Sequence, residues 1–334
     1  MRCGVASLIG RPNAGKSTLL NRLIGTKVAI VAGTPQTTRT RILGVKNVAG
    51  EDAGDGAVAG GSGRGQIVFV DTPGIHRPLH RMNVRMVDLA VSTITEVDVI
   101  VVVLDASVPP GAGDRFVLGL LDGVRTPVVL ALNKIDRMAK PRLLPLIDHY
   151  REQRDFAAIV PLSALTGDGV SRLEAVILDE LPDGEPLYPD DYLTDQPERV
   201  LVAETVREKV LHHTRAELPF STAVVVDRFE EETARPDAEA AAEGERGGDG
   251  AARALAGPRI GGLLRLYCSI VVERPSHKPI VIGRSGARLK QIGSEARVEL
   301  ERFFGARVYL DLHVRVREGW RESPRALRDL GLQG

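Results

Sequence analysis

Thiols are scarce in this chain of 334 residues, which carries only Cys3 and Cys268. They lie far apart and make no metal-ligand spacing, which argues against a disulfide framework or a cysteine metal centre. They read as reduced thiols, the second packed within a strand. The seven histidines form no ligand cluster either. No uninterrupted apolar stretch approaches the roughly 18 residues of a membrane-spanning helix. The chain enters an apolar strand almost at once, so no signal peptide is expected, and the cytoplasm is the expected compartment. Net charge is also missing, since 44 lysines and arginines balance 44 aspartates and glutamates. The length suits about two domains, each large enough for its own core.

What is present begins at Gly10, where GRPNAGKS fits G-x-x-x-x-G-K-[ST] between an apolar strand at residues 5–9 and a helix opening at Ser17-Thr18. Gly10 and Gly15 let backbone amides approach phosphates without side-chain clash, and Asn13, Ala14 and Thr18 belong to the same cradle. Lys16 is expected to reach the β and γ phosphates of a nucleoside triphosphate, and the Ser17 hydroxyl to ligate magnesium. Asp71-Thr72-Pro73-Gly74 follows the apolar strand at residues 67–70. Asp71 is placed to hold Mg2+ through water, and Gly74 to sense the γ-phosphate through its amide. Between these motifs, residues 34–41 offer a threonine to complete the metal shell. Thr38 is favoured, with Thr37 and Thr40 as alternatives.

Asn133-Lys134-Ile135-Asp136 ends the apolar strand at residues 128–132. The Asp136 carboxylate can accept both the N1 hydrogen and the exocyclic amine of guanine. Adenine cannot satisfy it, and an unpaired buried charged acceptor costs a few kcal/mol, so GTP is selected over ATP. Ser163-Ala164-Leu165, after a short strand at residues 158–161, is expected to offer the Ala164 amide to the base oxygen. Each short pattern alone also fits an ordinary turn. Their order, behind a phosphate loop, carries the reading.

A closing helix at residues 171–181 ends the expected nucleotide domain, residues 1–181. Residues 182–197 hold five acids and four prolines and no lysine or arginine, which reads as an interdomain linker over 182–198. The second domain, 199–334, shows a helical pattern at 200–213 and strands at 221–229 and 263–273. There follow Gly283-Arg284-Ser285-Gly286 after Ile280-Val281-Ile282, a segment at 287–292, a helix at 294–304 and a strand at 306–316. This order fits a KH module of the type with its extra elements in front. Its G-x-x-G turn would meet nucleic-acid phosphates through Ile282, Gly283, Arg284, Ser285, Gly286, Arg288 and Lys290. A small α+β domain with a merely structural glycine turn is the alternative. Residues 263–334 carry 14 lysines and arginines against 8 acids, net +6, so a neutral chain has a basic end. Two segments are expected to have little order: the glycine-rich 50–65, and an insertion at about 230–262 that is acidic over 230–249. The latter either occupies the basic groove or is simply solvated.

GRPNAGKSTLLN, QTTRTR, DTPGIH, NKID, SAL, PDDYLTD, ELPF and VIGRSGARLKQIG together resemble the Era family of bacterial GTPases, from residue 4 to residue 332. The resemblance implies an α/β Ras-like P-loop GTPase domain, a mostly parallel six-stranded sheet with helices on both faces, followed by a smaller α+β type II KH domain. It implies GTP and GDP with Mg2+ as ligands. It further implies the 3′ region of small-subunit ribosomal RNA and the small ribosomal subunit as partners, a role in maturation of that subunit, and a monomer. Some members also associate peripherally with the inner membrane. Ras-like proteins place a water-orienting glutamine directly after the D-x-x-G glycine, whereas here that position is Ile75. Slow intrinsic turnover is therefore expected, with Lys16, Thr38 and Gly74 supporting the transition state and no catalytic base. A potassium ion (K+) held partly by Asn13 is one candidate helper; otherwise Asn13 only stabilises its loop. Three functions follow: a GTP-hydrolysing switch on RNA, an RNA-binding assembly protein with GTP as a mainly structural ligand, and a membrane-surface GTPase.

Overall fold

A computed structural model describes residues 1–31, 38, 41–48, 65–75, 81–214, 218–232 and 262–330. The two segments expected to have little order fall almost wholly outside these, as do Thr37 and Thr40; residues 230–232 are ordinary strand. Two compact units divide after Thr194.

The first unit runs β1 (Arg2–Ile9), α1 (Lys16–Ile24), β2 (Ile42–Val48), β3 (Gly65–Asp71), α2 (Arg81–Ile94), β4 (Val99–Asp105), α3 (Ala112–Gly119), β5 (Val128–Asn133), α4 (Leu143–Arg151), β6 (Ala158–Pro161) and α5 (Val170–Glu180). The strands form one sheet in the order β2-β3-β1-β4-β5-β6. β2 runs antiparallel to β3 and the other pairs are parallel. The apolar run Val99 to Leu104 explains why helices cover both faces. Val99, Val101 and Val103 pack in one core with Leu19, Leu20, Leu173 and Ile177 of α1 and α5. Ile100, Val102 and Leu104 pack in another with Ile94, Val117 and Tyr150 of α2, α3 and α4. A strand buried on both sides has no polar position to spare, and each such side chain contributes about 1.5–3 kcal/mol. The parallel strands deliver Ile9, Asp71, Asp105, Asn133 and Pro161 to the sheet's carboxyl edge, where ligands of such sheets bind.

The acidic, proline-rich stretch does not hang free over its length. Residues 182–194 belong to the first unit and lie against β1, β2 and β3, so the division falls within the expected linker, 13 residues beyond Leu181. Cys3 N donates to Pro182 O (3.0 Å), Val45 N to Leu193 O (2.9 Å) and the Thr194 hydroxyl to Leu43 O (2.5 Å). Gln66 is fully buried beneath this strap. Its Nε2 donates to Asn47 Oδ1 and Tyr188 O, both at 2.8 Å, and its Oε1 accepts from Leu187 N (2.7 Å) and Tyr188 N (2.9 Å). Tyr188 and Tyr192 stack at 4.7 Å over Leu43, Val45 and Val68.

The second unit runs α6 (Glu198–His213), α7 (Leu218–Ser221), β7 (Thr222–Glu232), β8 (Leu263–Val272), α8 (His277–Ile282), α9 (Ala287–Phe304), β9 (Arg307–Val316) and α10 (Pro324–Asp329). β8 pairs antiparallel with β7 and parallel with β9. A parallel pair needs a crossover, which α8 and α9 supply. Leu264, Leu266, Cys268 and Ile270 share a core with Val202, Val206 and Val210 of α6 and Ile292, Ala296 and Leu300 of α9. Burial there pushes the Cys268 thiol up to about 12. The sequence suggested a break near residue 293, but α9 is continuous. Ser294 bonds back to Lys290 O (2.9 Å) rather than capping a new helix. No described helix is long and apolar enough to cross a membrane.

Gln66→Leu removes four hydrogen bonds and leaves their backbone partners beneath the strap unpaired. Urea unfolding of the full chain should show the first unit destabilised by about 2–3 kcal/mol. An unchanged midpoint would mean that the strap adds nothing to the sheet.

Candidate functional site: a phosphate loop, a base clasp and a glycine turn

The loop from Gly10 to Gly15 joins β1 to α1 so tightly that side chains matter less than backbone shape. Gly15 has φ +97°, and a Cβ there would sit 2.3 Å from Asn133 Nδ2. Asn13 also takes positive φ (62°). Lys16 is buried, and its Nζ donates to Gly10 O and Arg11 O, each at 3.2 Å. Burial lowers its pKa against the pull of Asp71. The Ala14 amide donates to Arg11 O at 3.3 Å. Asn13, Gly15, Lys16, Ser17, Thr18 and Gly74 share one cleft.

Three oxygens from three segments converge beside Lys16. The Ser17 hydroxyl lies 2.7 Å from Thr38 Oγ1 and 2.7 Å from Asp71 Oδ2, and Thr38 Oγ1 lies 3.3 Å from Asp71 Oδ2. Asp71 is fully buried, and its Oδ1 has no hydrogen-bond partner among the described residues. Burial raises the Asp71 pKa, opposed by Lys16, Ser17 and Thr38. A hard divalent cation suits this set: hydroxyl and carboxylate oxygens with an acceptor left unpaired. The D-x-x-G segment is stitched to its neighbours by Thr72 Oγ1 donating to Leu8 O (2.9 Å) and Ile75 N to Gly10 O (3.0 Å). Gly74 is required by close approach, since a Cβ would meet Pro12 Cα and N at 2.8 Å. The Ile75 side chain is buried in the core with Ile9, Ala90 and Ile94, so this position serves packing.

At the end of β5, the Asn133 side chain ties three loops together. Nδ2 donates to Ala14 O (2.8 Å), and Oδ1 accepts from Lys134 N (2.8 Å) and Ala164 N (2.9 Å). The Ala164 amide, expected to face a base oxygen, is thus given to Asn133. Asp136, expected as a buried acceptor, is exposed. The guanine-reading role expected of it would need the base itself to shield it from water. Ser163 is buried, with Oγ accepting from Thr166 N (3.1 Å), and Leu165 is exposed.

Sequence reasoning passed over three residues here. Arg22 holds the Ser163-Ala164-Leu165 loop by donating to Ala164 O (3.2 Å) and Leu165 O. Asn21 pins the chain after α1, with Oδ1 accepting from Val28 N and Ala29 N at 2.9 Å. Asp105 bonds Lys134 Nζ at 2.6 Å. Its position at the end of an apolar strand, like Asp71 and Asn133, was the available signal.

In the second unit, Gly283-Arg284-Ser285-Gly286 forms the turn between α8 and α9. Gly283 N closes α8 on Pro279 O (2.9 Å), and Ser285 takes φ +48°. Arg284, Ser285 and Lys290 are exposed, while Ile282 is half-buried against the core. Arg288, expected to face phosphates, donates instead to Ile280 O.

Residues 5–134 match the family model described as 50S ribosome-binding GTPase, and residues 264–321 match the KH domain. The chain is 44% identical over 330 residues to GTPase Era of Geobacter metallireducens, covering 99% of this chain and 97% of the relative. It is 40% identical over 331 residues to GTPase Era of Heliobacterium modesticaldum, covering 99% and 97%. Two solved structures match at 38% identity over 100% of both chains: a point variant of Aquifex aeolicus Era bound to GDP and AlF4-, with TM-score 0.84, and Era in complex with MgGDPNP and nucleotides 1506–1542 of 16S ribosomal RNA, with TM-score 0.85. The Ras-like sheet followed by a KH domain is therefore the fold of this chain as well as the expectation from its motifs. A phosphate loop, an Asn-Lys-x-Asp segment and a KH turn in one chain, matched end to end by such relatives, are accounted for together: this chain belongs to the Era family of GTPases.

Proposed function

We propose that this GTPase is a switch whose nucleotide state governs binding of the 3′ region of small-subunit ribosomal RNA, in cytoplasmic maturation of the small ribosomal subunit. The convergence of Ser17, Thr38 and Asp71 carries the reading, because it joins the phosphate loop to the two segments whose arrangement must differ between GTP and GDP. These three residues would hold Mg2+, with Asp71 acting through water. When bound, the ion neutralises charge on the phosphate oxygens. Lys16 stabilises charge at the β and γ phosphates, Gly74 reports the γ-phosphate, and Asp136 reads guanine while Asn133 and Lys134 brace the clasp. Arg284, Ser285 and Lys290 meet RNA phosphates beside Ile282. Support for the RNA comes from the basic C-terminal end and from the Era complex with 16S ribosomal RNA nucleotides.

One observation favours a second reading, in which GTP is mainly a structural ligand. Ile75 has its side chain in the core and cannot orient water. RNA affinity decides between them. Fluorescence anisotropy with a 3′-terminal ribosomal RNA fragment should show tighter binding with a GTP analogue than with GDP or no nucleotide, and equal affinities would remove the switch.

Asp136→Asn should weaken GTP binding by about 10- to 100-fold and shift preference to a xanthine nucleotide. Retained guanine preference would place base reading elsewhere. Chelating Mg2+ should speed GDP release about tenfold in the unmodified protein and by a smaller factor in Asp71→Ala, whose metal affinity is already weakened. Equal acceleration in both would remove Asp71 from the metal site. Turnover compared in KCl and NaCl assigns Asn13: faster turnover in KCl supports a potassium site, and equal rates leave Asn13 as a loop residue.

A further inference from the structure

We infer that Asp105 is a positioning residue for nucleotide retention, acting through Lys134 to lock the apex of the phosphate loop to the base clasp. The inference rests on the nucleotide-binding reading above and deepens it. Asp105 ends β4, and none of the sequence motifs contains it. Its Oδ2 accepts from Lys134 Nζ at 2.6 Å, and the same ammonium donates to Asn13 O at 2.6 Å. Its Oδ1 accepts from Ser107 N (3.0 Å) and Ser107 Oγ (2.5 Å), so the carboxylate is itself oriented. Lys134 enters with φ +67° and its amide bonded to Asn133 Oδ1. The Lys134 side chain thus spans from the clasp to a loop residue that also sits at positive φ.

A lysine stem is flexible, and an ammonium held by one carbonyl alone samples many rotamers. A second, ionised acceptor restricts it to the one geometry that also bonds Asn13. Burial pushes the Asp105 pKa up, but the Lys134 and Ser107 hydrogen bonds outweigh it and hold the carboxyl below its ordinary value. The group is therefore ionised at neutral pH. Each side chain of the pair is 22% exposed, so the contact is largely enclosed between the two loops. The consequence of losing Asp105 should appear in nucleotide residence time.

The test measures release of a fluorescent GDP from the full chain by stopped flow. Asp105→Ala should release GDP about tenfold faster, the size of one lost charge-assisted contact. KM for GTP should rise with kcat unchanged. Ser107→Ala should move both in the same direction by a smaller factor, which supplies a second variant should Asp105→Ala fold poorly. In a Lys134→Met background, Asp105→Ala should add nothing, because the carboxylate acts through that lysine. Release at the unmodified rate, or an undiminished effect without Lys134, overturns the inference. Failure of the unmodified protein to retain any guanine nucleotide would instead overturn the nucleotide-binding reading.

Discussion

The buried side chain of Asn133 is the knot on which the nucleotide site depends. Its amide joins the phosphate loop at Ala14, its own following residue and the loop at Ala164. All three loops leave a parallel sheet at its carboxyl edge, where helix cover stops and backbone groups are left without sheet partners. A planar amide with a donor at one end and an acceptor at the other can satisfy several of them at once. The donor approaches Gly15 so closely that no Cβ fits, so the phosphate loop and the clasp constrain each other's sequence.

Around this knot the protein tolerates charges that its fold alone would not favour. Burial lowers the Lys16 pKa and raises that of Asp71, each opposed by the other's charge. Burying two opposite charges seldom adds stability, and Asp71 Oδ1, with no partner among the described residues, makes it costlier. Such a set has a reason to exist only where anionic phosphate and a cation complete it. Ile75 shows the same edge used differently. The residue after the D-x-x-G glycine turns into the core, so packing is served where other Ras-like proteins place a glutamine.

Beyond the nucleotide site, β2 and β3 are held by a strap that composition presents as a linker. Prolines and acids keep it from becoming helix or strand, yet Gln66 and Val45 bond its backbone groups, and its Thr194 hydroxyl donates to Leu43 O of β2. The chain leaves for the KH unit only after Thr194, which is bonded to the strand that follows Thr38 and Arg41. In the KH unit, the alternation of Leu264, Leu266, Cys268 and Ile270 sets the core face of β8, which is buried on both sides only from Cys268 onward, unlike the unbroken apolar run of β4.

Much of this was legible in the chain. Glycines at Gly10, Gly15 and Gly74, apolar runs ending at Asp71 and Asn133, and a G-x-x-G turn between helices are encoded within a few residues, because backbone conformation and burial period are local properties. Tertiary structure alone decided the rest. It gave the Ala164 amide to Asn133, left Asp136 open to solvent, tied Arg288 back to Ile280, ran α9 through Gly293 and put Asp105 against Lys134. Most of these depend on contacts between distant segments. Lys134 reaches across 29 residues to Asp105 and 121 to Asn13, and only the assembled order of strands sets which ends meet.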